Sequence, residues 1–123
     1  MKEPISVAPG DITLDCQEHG AVAVVRVSGD LDLNTSPSLQ DYLAERESSP
    51  VVIDLRNVAF LGSAGLATLI QSHERAAAAG RPWAVVATGS VVLRPMEATG
   101  LLTILNPYPS VDEALSVFST SGD

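Results

Sequence analysis

The chain has 123 residues, 46% of them hydrophobic, which is enough for one domain with a real core and excludes intrinsic disorder. Fifteen acidic residues against seven basic ones give a net charge of −8, the wrong balance for a dedicated nucleic-acid binder or for docking on anionic lipid. A single cysteine, Cys16, leaves no intramolecular disulfide and no Cys-based zinc site, and His19 and His73 lack metal-ligand spacing, so no metal is expected.

Residues 1–10, with Pro4, Pro9 and Gly10, read as a flexible lead-in, residues 11–118 as the domain, and residues 119–123 as a tail. Ile12 to Cys16 alternates, Glu18-His19-Gly20 reads as a turn, and Ala21 to Val27 is rich in β-branched residues; together they predict a hairpin ended by Gly29-Asp30-Leu31-Asp32. Asn34-Thr35-Ser36-Pro37 is a helix start, and Leu39, Leu43 and Arg46 carry the helix to about Glu47. Val51 to Leu55 is a continuous apolar run, as in a buried parallel strand, and Asn57 to Gly62 reads as a connection. The next helix, Ala64 to Ala79, places Leu66, Leu69, Ile70, His73 and Ala77 on one face and Thr68, Gln71, Ser72 and Arg75 on the other. A strand at Trp83 to Ala87, a short helix at Val91 to Thr99 stopped by Gly100, a short strand at Thr103 to Leu105 and a final helix opened by Pro109 or Ser110 complete the pattern.

Strands alternating with helices imply an α/β domain with a largely parallel sheet, made mixed by the opening hairpin. A sheet this small can be covered by helices on one side, leaving the other face to polar residues, loops or a partner. The N-terminus lacks the apolar core of a signal peptide, and the longest charge-free stretch, Pro82 to Leu93, is far short of the roughly 20 residues a membrane helix needs. A cytoplasmic protein with no membrane contact is expected.

The sequence does not support an enzyme. Ser63 lacks the flanking glycines of a nucleophile elbow, and His73 on the same helix lies about 15 Å from it at the usual rise per residue. No phosphate-cradling or dinucleotide-binding glycine motif occurs, and no cofactor is expected. Asp54, read as the end of a buried strand, resembles the phosphoacceptor of a response-regulator receiver, with Asp30 and Asp32 as acidic neighbours but without the receiver's lysine. Its plainer role is to cap the next turn. Ser63 is either a plain N-cap or a regulatory phosphosite, and the two are compatible, because a phosphate at a helix N-terminus meets free N–H groups and the positive end of the dipole. Cys16, in a strand, reads as a buried, inert thiol.

The string Asp54-Leu55-Arg56-Asn57-Val58-Ala59-Phe60-Leu61-Gly62-Ser63-Ala64-Gly65-Leu66 resembles the signature of the STAS domain, and the chain from about Ile12 to Phe118 resembles bacterial anti-sigma factor antagonists. Gly29-Asp30-Leu31-Asp32 is similar to the family's Gly-Glu-Leu-Asp segment, and Val92 to Leu102, with Met96, Gly100 and Leu101, to its third helix and following turn. The resemblance implies a single STAS-like domain with a mixed β-sheet covered on one side by about four helices. It also implies partner switching. The unmodified antagonist binds an anti-sigma factor that is a serine kinase and so releases the sigma factor; phosphorylation at Ser63 switches it off, and a serine phosphatase reverses the step. Asp32, Gly62, Ser63, Ala64, Gly65, Thr68, Gln71 and Ser72 would form the docking patch. Many phosphorylated relatives carry Asp immediately before the serine, where this chain has Gly62. Two other readings stay open: a receiver-like domain using Asp54, and a non-phosphorylated STAS scaffold subunit of a stress-response complex.

Overall fold

In a computed structural model, which describes residues 10–121, the β-branched run pairs with the alternating segment before it as a hairpin. β1 spans Ile12–His19 and β2 spans Val22–Leu31. Because His19 pairs with Val22, the turn is Gly20-Ala21, one step later than expected; Gly20 sits at φ 62°, where a side chain would be strained. The expected lead-in before Gly10, including Pro4 and Pro9, lies outside the described residues, as do residues 122–123.

The remaining elements are α1 (Ser36–Ala44), β3 (Val51–Leu61), α2 (Ser63–Ala78), β4 (Trp83–Val86), α3 (Ser90–Ala98), α4 (Leu102–Leu105) and α5 (Val111–Ser121). The four strands lie in the order β1-β2-β3-β4, with β1 antiparallel to β2 and β2, β3 and β4 mutually parallel. This is the expected mixed sheet.

Two strands are longer than the sequence reading had them. Residues 57–61 continue β3 rather than forming a connection, and Ser28 to Leu31 continue β2 opposite them. Register shifts between Arg26 and Ser28 and between Gly29 and Asp30 let the two keep pairing. Beyond Leu55 only Val58 and Leu61 of β3 are buried, so the alternation that would announce a strand is lost. The strand expected at Thr103 to Leu105 is instead the single helical turn α4, closed by Leu105 N–H donating to the Leu101 carbonyl at 2.8 Å and stopped by Asn106 at φ 48°. The sheet does gain a short addition, three residues later. Tyr108 bridges to Val86 in parallel, its N–H donating to the Val85 carbonyl at 2.8 Å.

Alternate residues of the strands point to opposite faces. Val25, Val27, Leu31, Ile53, Leu55 and Val85 form the main core with Leu39 and Leu43 of α1, Leu66 and Leu69 of α2, Val92 and Met96 of α3, and Leu105 of α4. The opposite face is covered in part by α5, whose Val111, Ala114, Leu115 and Phe118 pack on Val24, Val52, Ala84 and Val86. Ser110 caps the start of α5: Glu113 N–H donates to Ser110 Oγ at 3.1 Å, and the Ser110 hydroxyl donates to Glu113 Oε2 at 3.3 Å. The helix continues through Ser121, into the segment read as a tail. Among the described residues, no helix is long and apolar enough to cross a membrane.

Candidate partner-docking site

The C-terminal ends of β2 and β3 lie side by side, Leu31 opposite Leu61, so the loop after β2 and the start of α2 emerge together. Gly62 N–H donates to the Leu31 carbonyl at 2.9 Å and ties the two exits. Gly65, one turn into α2, packs on the same residue. A β-carbon there would stand 2.8 Å from Leu61 Cδ1 and 2.9 Å from Leu31 Cβ. Glycine at 65 is therefore a condition for α2 to lie this close to the sheet.

Gly62, with extended backbone, is the N-cap of α2, so Ser63 is its first helical residue and not the cap the sequence suggested. Leu66 N–H donates to the Gly62 carbonyl at 3.1 Å, which leaves the N–H groups of the first turn without intrahelical acceptors. The Ser63 side chain is exposed and makes no hydrogen bond among the described residues.

Across the tied exits, Asp32 organises the loop into α1. Its Oδ1 accepts from Asn34 N–H at 2.9 Å and Thr35 N–H at 3.0 Å. Asp32 N–H in turn donates to Thr35 Oγ1 at 3.0 Å, and the Thr35 hydroxyl donates to the Asp30 carbonyl at 2.6 Å. The carboxylate is thus a loop-builder, and the loop it builds holds Leu33 out at 79% exposure. Phe60, 51% exposed, lies against Gly62 on the other side. Leu33 lies in a turn beyond the end of β2, and Phe60 sits where the alternation of β3 fails, so no sequence spacing marks either as outward-facing.

The expected patch splits into groups. Asp32, Gly62, Ser63 and Ala64 meet at this end of the sheet, while Gly65 is buried. Thr68, read as outward, is 6% exposed, and its hydroxyl donates to the Ala64 carbonyl at 3.2 Å. Ser72 is half-buried and accepts from the Trp83 indole N–H at 2.9 Å. The exposed stripe of α2 is Ser63, Ala67, Gln71 and Glu74. Ala76, not Ala77, is the alanine buried toward the core, because the helix is turned to bring Gly65 and Thr68 inward. Ala67, at helical spacing between Ser63 and Gln71, could have been found from that spacing alone.

The other candidates fall elsewhere. His73 packs edge-on against Trp83, ring centroids 5.0 Å apart, ten residues along α2 from Ser63. Asp54 is not at a strand end but mid-β3, 2% exposed, and both its oxygens are held by the Arg56 guanidinium at 2.9 Å. Arg56 N–H adds a bond to Oδ1 at 3.1 Å. The Asp54 hydrogen bonds, then the Asp54 charge, with Asp112 of α5 adding a little, hold the Arg56 pKa above its ordinary value. Cys16 is half-buried, on the side of β1 that faces the main core.

A mixed sheet whose second and third strands deliver a tied pair of exits, one into a loop and one into a serine-led helix, defines the class. The chain belongs to the STAS domain family, whose profile matches residues 13–114. It is similar to the anti-sigma-F factor antagonist RsfB of Mycobacterium tuberculosis, 35% identical over 112 residues, which span 89% of this chain and 91% of that protein. The crystal structure of an anti-sigma factor antagonist from Mycobacterium paratuberculosis superposes with a TM-score of 0.81 at 37% identity, over 91% of this chain and 97% of that one. The anti-sigma factor antagonist SpoIIAA in its unphosphorylated form shares the fold at 12% identity, TM-score 0.74, over 88% of this chain and 97% of that one.

Proposed function

We propose that the chain is an anti-sigma factor antagonist that docks on an anti-sigma factor with serine kinase activity and releases the sigma factor. Phosphorylation of Ser63 by the bound kinase switches it off, and a serine phosphatase restores it. The observation that carries the reading is the placement of Ser63. Its hydroxyl is exposed, with no hydrogen bond among the described residues, at the first position of a 16-residue helix, flanked by the small residues Gly62 and Ala64. A phosphate of charge about −1.5 to −2 there is stabilised by the free N–H groups and the helix dipole, so modification changes the surface without unfolding the domain.

Docking uses Asp32, Gly62, Ser63, Ala64 and Gln71. Leu33, Phe60 and Ala67 supply the apolar contact the polar set lacks. Gly65 and Thr68 contribute by packing, and Ser72 by holding Trp83. The similarity to named antagonists supports the partner class, and the exposed apolar residues beside Ser63 support a protein as the ligand.

The test is binding of wild type, Ser63→Ala and Ser63→Glu to the cognate anti-sigma factor, with ATP added in a second arm and the phosphosite read by mass spectrometry. Wild type and Ser63→Ala are expected to bind, Ser63→Glu to bind weakly, and ATP to label wild type only. Equal binding by all three with no labelling would leave a constitutive scaffold and remove the switch. No binding by any of them would remove the antagonist function.

A further inference from the structure

The two edges of the sheet are unlike. β4 has four residues, and its outer side is partly covered where Tyr108 bridges Val86 and its carbonyl accepts from Ala87 N–H at 3.0 Å. β1 has eight residues, pairs with β2 without a register shift, and has no strand on its outer side among the described residues. Long, regular edges are usually blunted by proline, lysine or a bulge, and Ile12–His19 carries none of these. The hydrogen-bond phase says which groups the edge offers. Asp30 N–H donates to the Asp11 carbonyl at 2.9 Å, so the odd-numbered residues of this strand bond β2. By alternation, the backbone N–H and C=O groups of Leu14, Cys16 and Glu18 point outward. On the helix-covered face the same edge is apolar: Ile12, Leu14 and Cys16, with Tyr42 of α1, pack on the core yet stay half-buried.

An antiparallel partner strand sets outward-pointing residues against outward-pointing residues. Two self-pairings of β1 do this while keeping most of its length. One is centred on Asp15 and puts that carboxylate directly against its own copy, which is repulsive. The other is centred on Cys16 and sets Leu14 against Glu18, Asp15 against Gln17 and Thr13 against His19, with no like charges opposed. It also places Glu18 of the second copy diagonal to Cys16, within reach of Arg46, which lies close enough to Cys16 to interact with its sulfur. We infer that β1 pairs antiparallel with β1 of a second copy about a twofold axis at Cys16, so that two sheets join into one. The interface is small, below about 1,200 Å² in total, which makes the dimer weak and reversible. It uses none of the docking residues, so its failure would leave the antagonist reading untouched.

The full chain, isotope-labelled, is followed from micromolar to millimolar concentration by sedimentation and by amide hydrogen exchange. The mass is expected to rise toward that of a dimer. The amides of Leu14, Cys16 and Glu18 are expected to slow at least about tenfold over the same range, while those of Thr13, Asp15 and Gln17, already bonded to β2, stay unchanged. Glu18→Pro removes an outward N–H and leaves the bonds to β2 in place, and Glu18→Lys sets a like charge beside Arg46. Both variants are expected to stay monomeric at millimolar concentration. A monomer throughout, a dimer without slowing at those amides, or unchanged dimerisation in the variants would overturn the inference. So would slow exchange of the same amides in a dilute monomer, which would mean that the edge is already covered within one chain. Should Glu18→Pro fail to fold, Glu18→Lys decides alone.

Discussion

A β-carbon on Gly62 would stand 3.0 Å from Cε2 of Phe60, so a side chain there would crowd the phenyl ring that lies against the start of α2. The space beside Ser63 holds a half-exposed ring, which makes the proposed docking end apolar where an acidic residue would make it charged. Phe60→Ala is expected to weaken anti-sigma factor binding by about 2 kcal/mol, as for an aromatic anchor, while changing folding stability by less than about 1 kcal/mol because the ring is half in water. Gly62→Asp, which must push the ring aside, should lower affinity in the same direction. Titration calorimetry and urea unfolding check both. Unchanged affinity in Phe60→Ala would take the ring out of the interface.

Ser63→Glu separates a switch from damage. A carboxylate at the first position of α2 meets the positive end of the helix dipole and should stabilise the fold by about 0.3–1 kcal/mol. The same variant is expected to lose partner affinity. A gain in urea midpoint together with a loss of binding means the charge acts at the interface. A drop in stability beyond about 1 kcal/mol would instead trace the lost binding to a disturbed helix start.

Gly65 is expected to be intolerant for a reason unrelated to partners. Its absent β-carbon is replaced by Leu31 and Leu61 within 2.9 Å, and the backbone oxygen of Leu31 is 3.2 Å away. Gly65→Ala should therefore cost about 1–3 kcal/mol in urea unfolding, the usual range for overpacking, despite alanine's better helix propensity. A neutral or stabilising result would mean that α2 can lift from the sheet at no cost.

Legibility in the sequence followed the strength of each periodic signal. Val51 to Leu55 and the stretch from Ala64 onward were readable because their apolar residues are contiguous or helically spaced, and both elements begin within one residue of the expected start. Residues 56–60 were not readable as strand because the irregular pairing with β2 exposes Arg56, Asn57, Ala59 and Phe60 together. Leu102 to Leu105 has strand-like composition, but the backbone left-handed at Asn106 closes it as one helical turn. At the candidate site, Ser63 and Asp32 are expected from the resemblance to the family's ordered motifs, and both lie at the same end of the sheet. The inward turn of Thr68 was not legible, because it depends on how close Gly65 lets α2 approach, a tertiary fact no spacing records.

Asp54 and Arg56 form an unequal pair, and the inequality predicts which partner matters more. The carboxylate is 2% exposed and the guanidinium 41%. Arg56→Gln leaves a buried charge with its main partner gone and is expected to cost about 3 kcal/mol. Asp54→Asn leaves a guanidinium that can turn to water, and the asparagine oxygen can still accept from the Arg56 backbone N–H, so a cost nearer 1 kcal/mol is expected. Urea unfolding of the two variants at neutral pH tests the order, and raising the salt should change the difference little because the carboxylate is shielded from ions. The same enclosure bears on the receiver-like reading. Acetyl phosphate with magnesium is expected to leave the wild-type protein unlabelled at Asp54, since an oxygen engaged on both sides by Arg56 cannot attack without first unmaking the pair. Acid-labile phosphate that appears in Ser63→Ala and vanishes in Asp54→Asn would reverse that conclusion and make the carboxylate, not the serine, the signalling group.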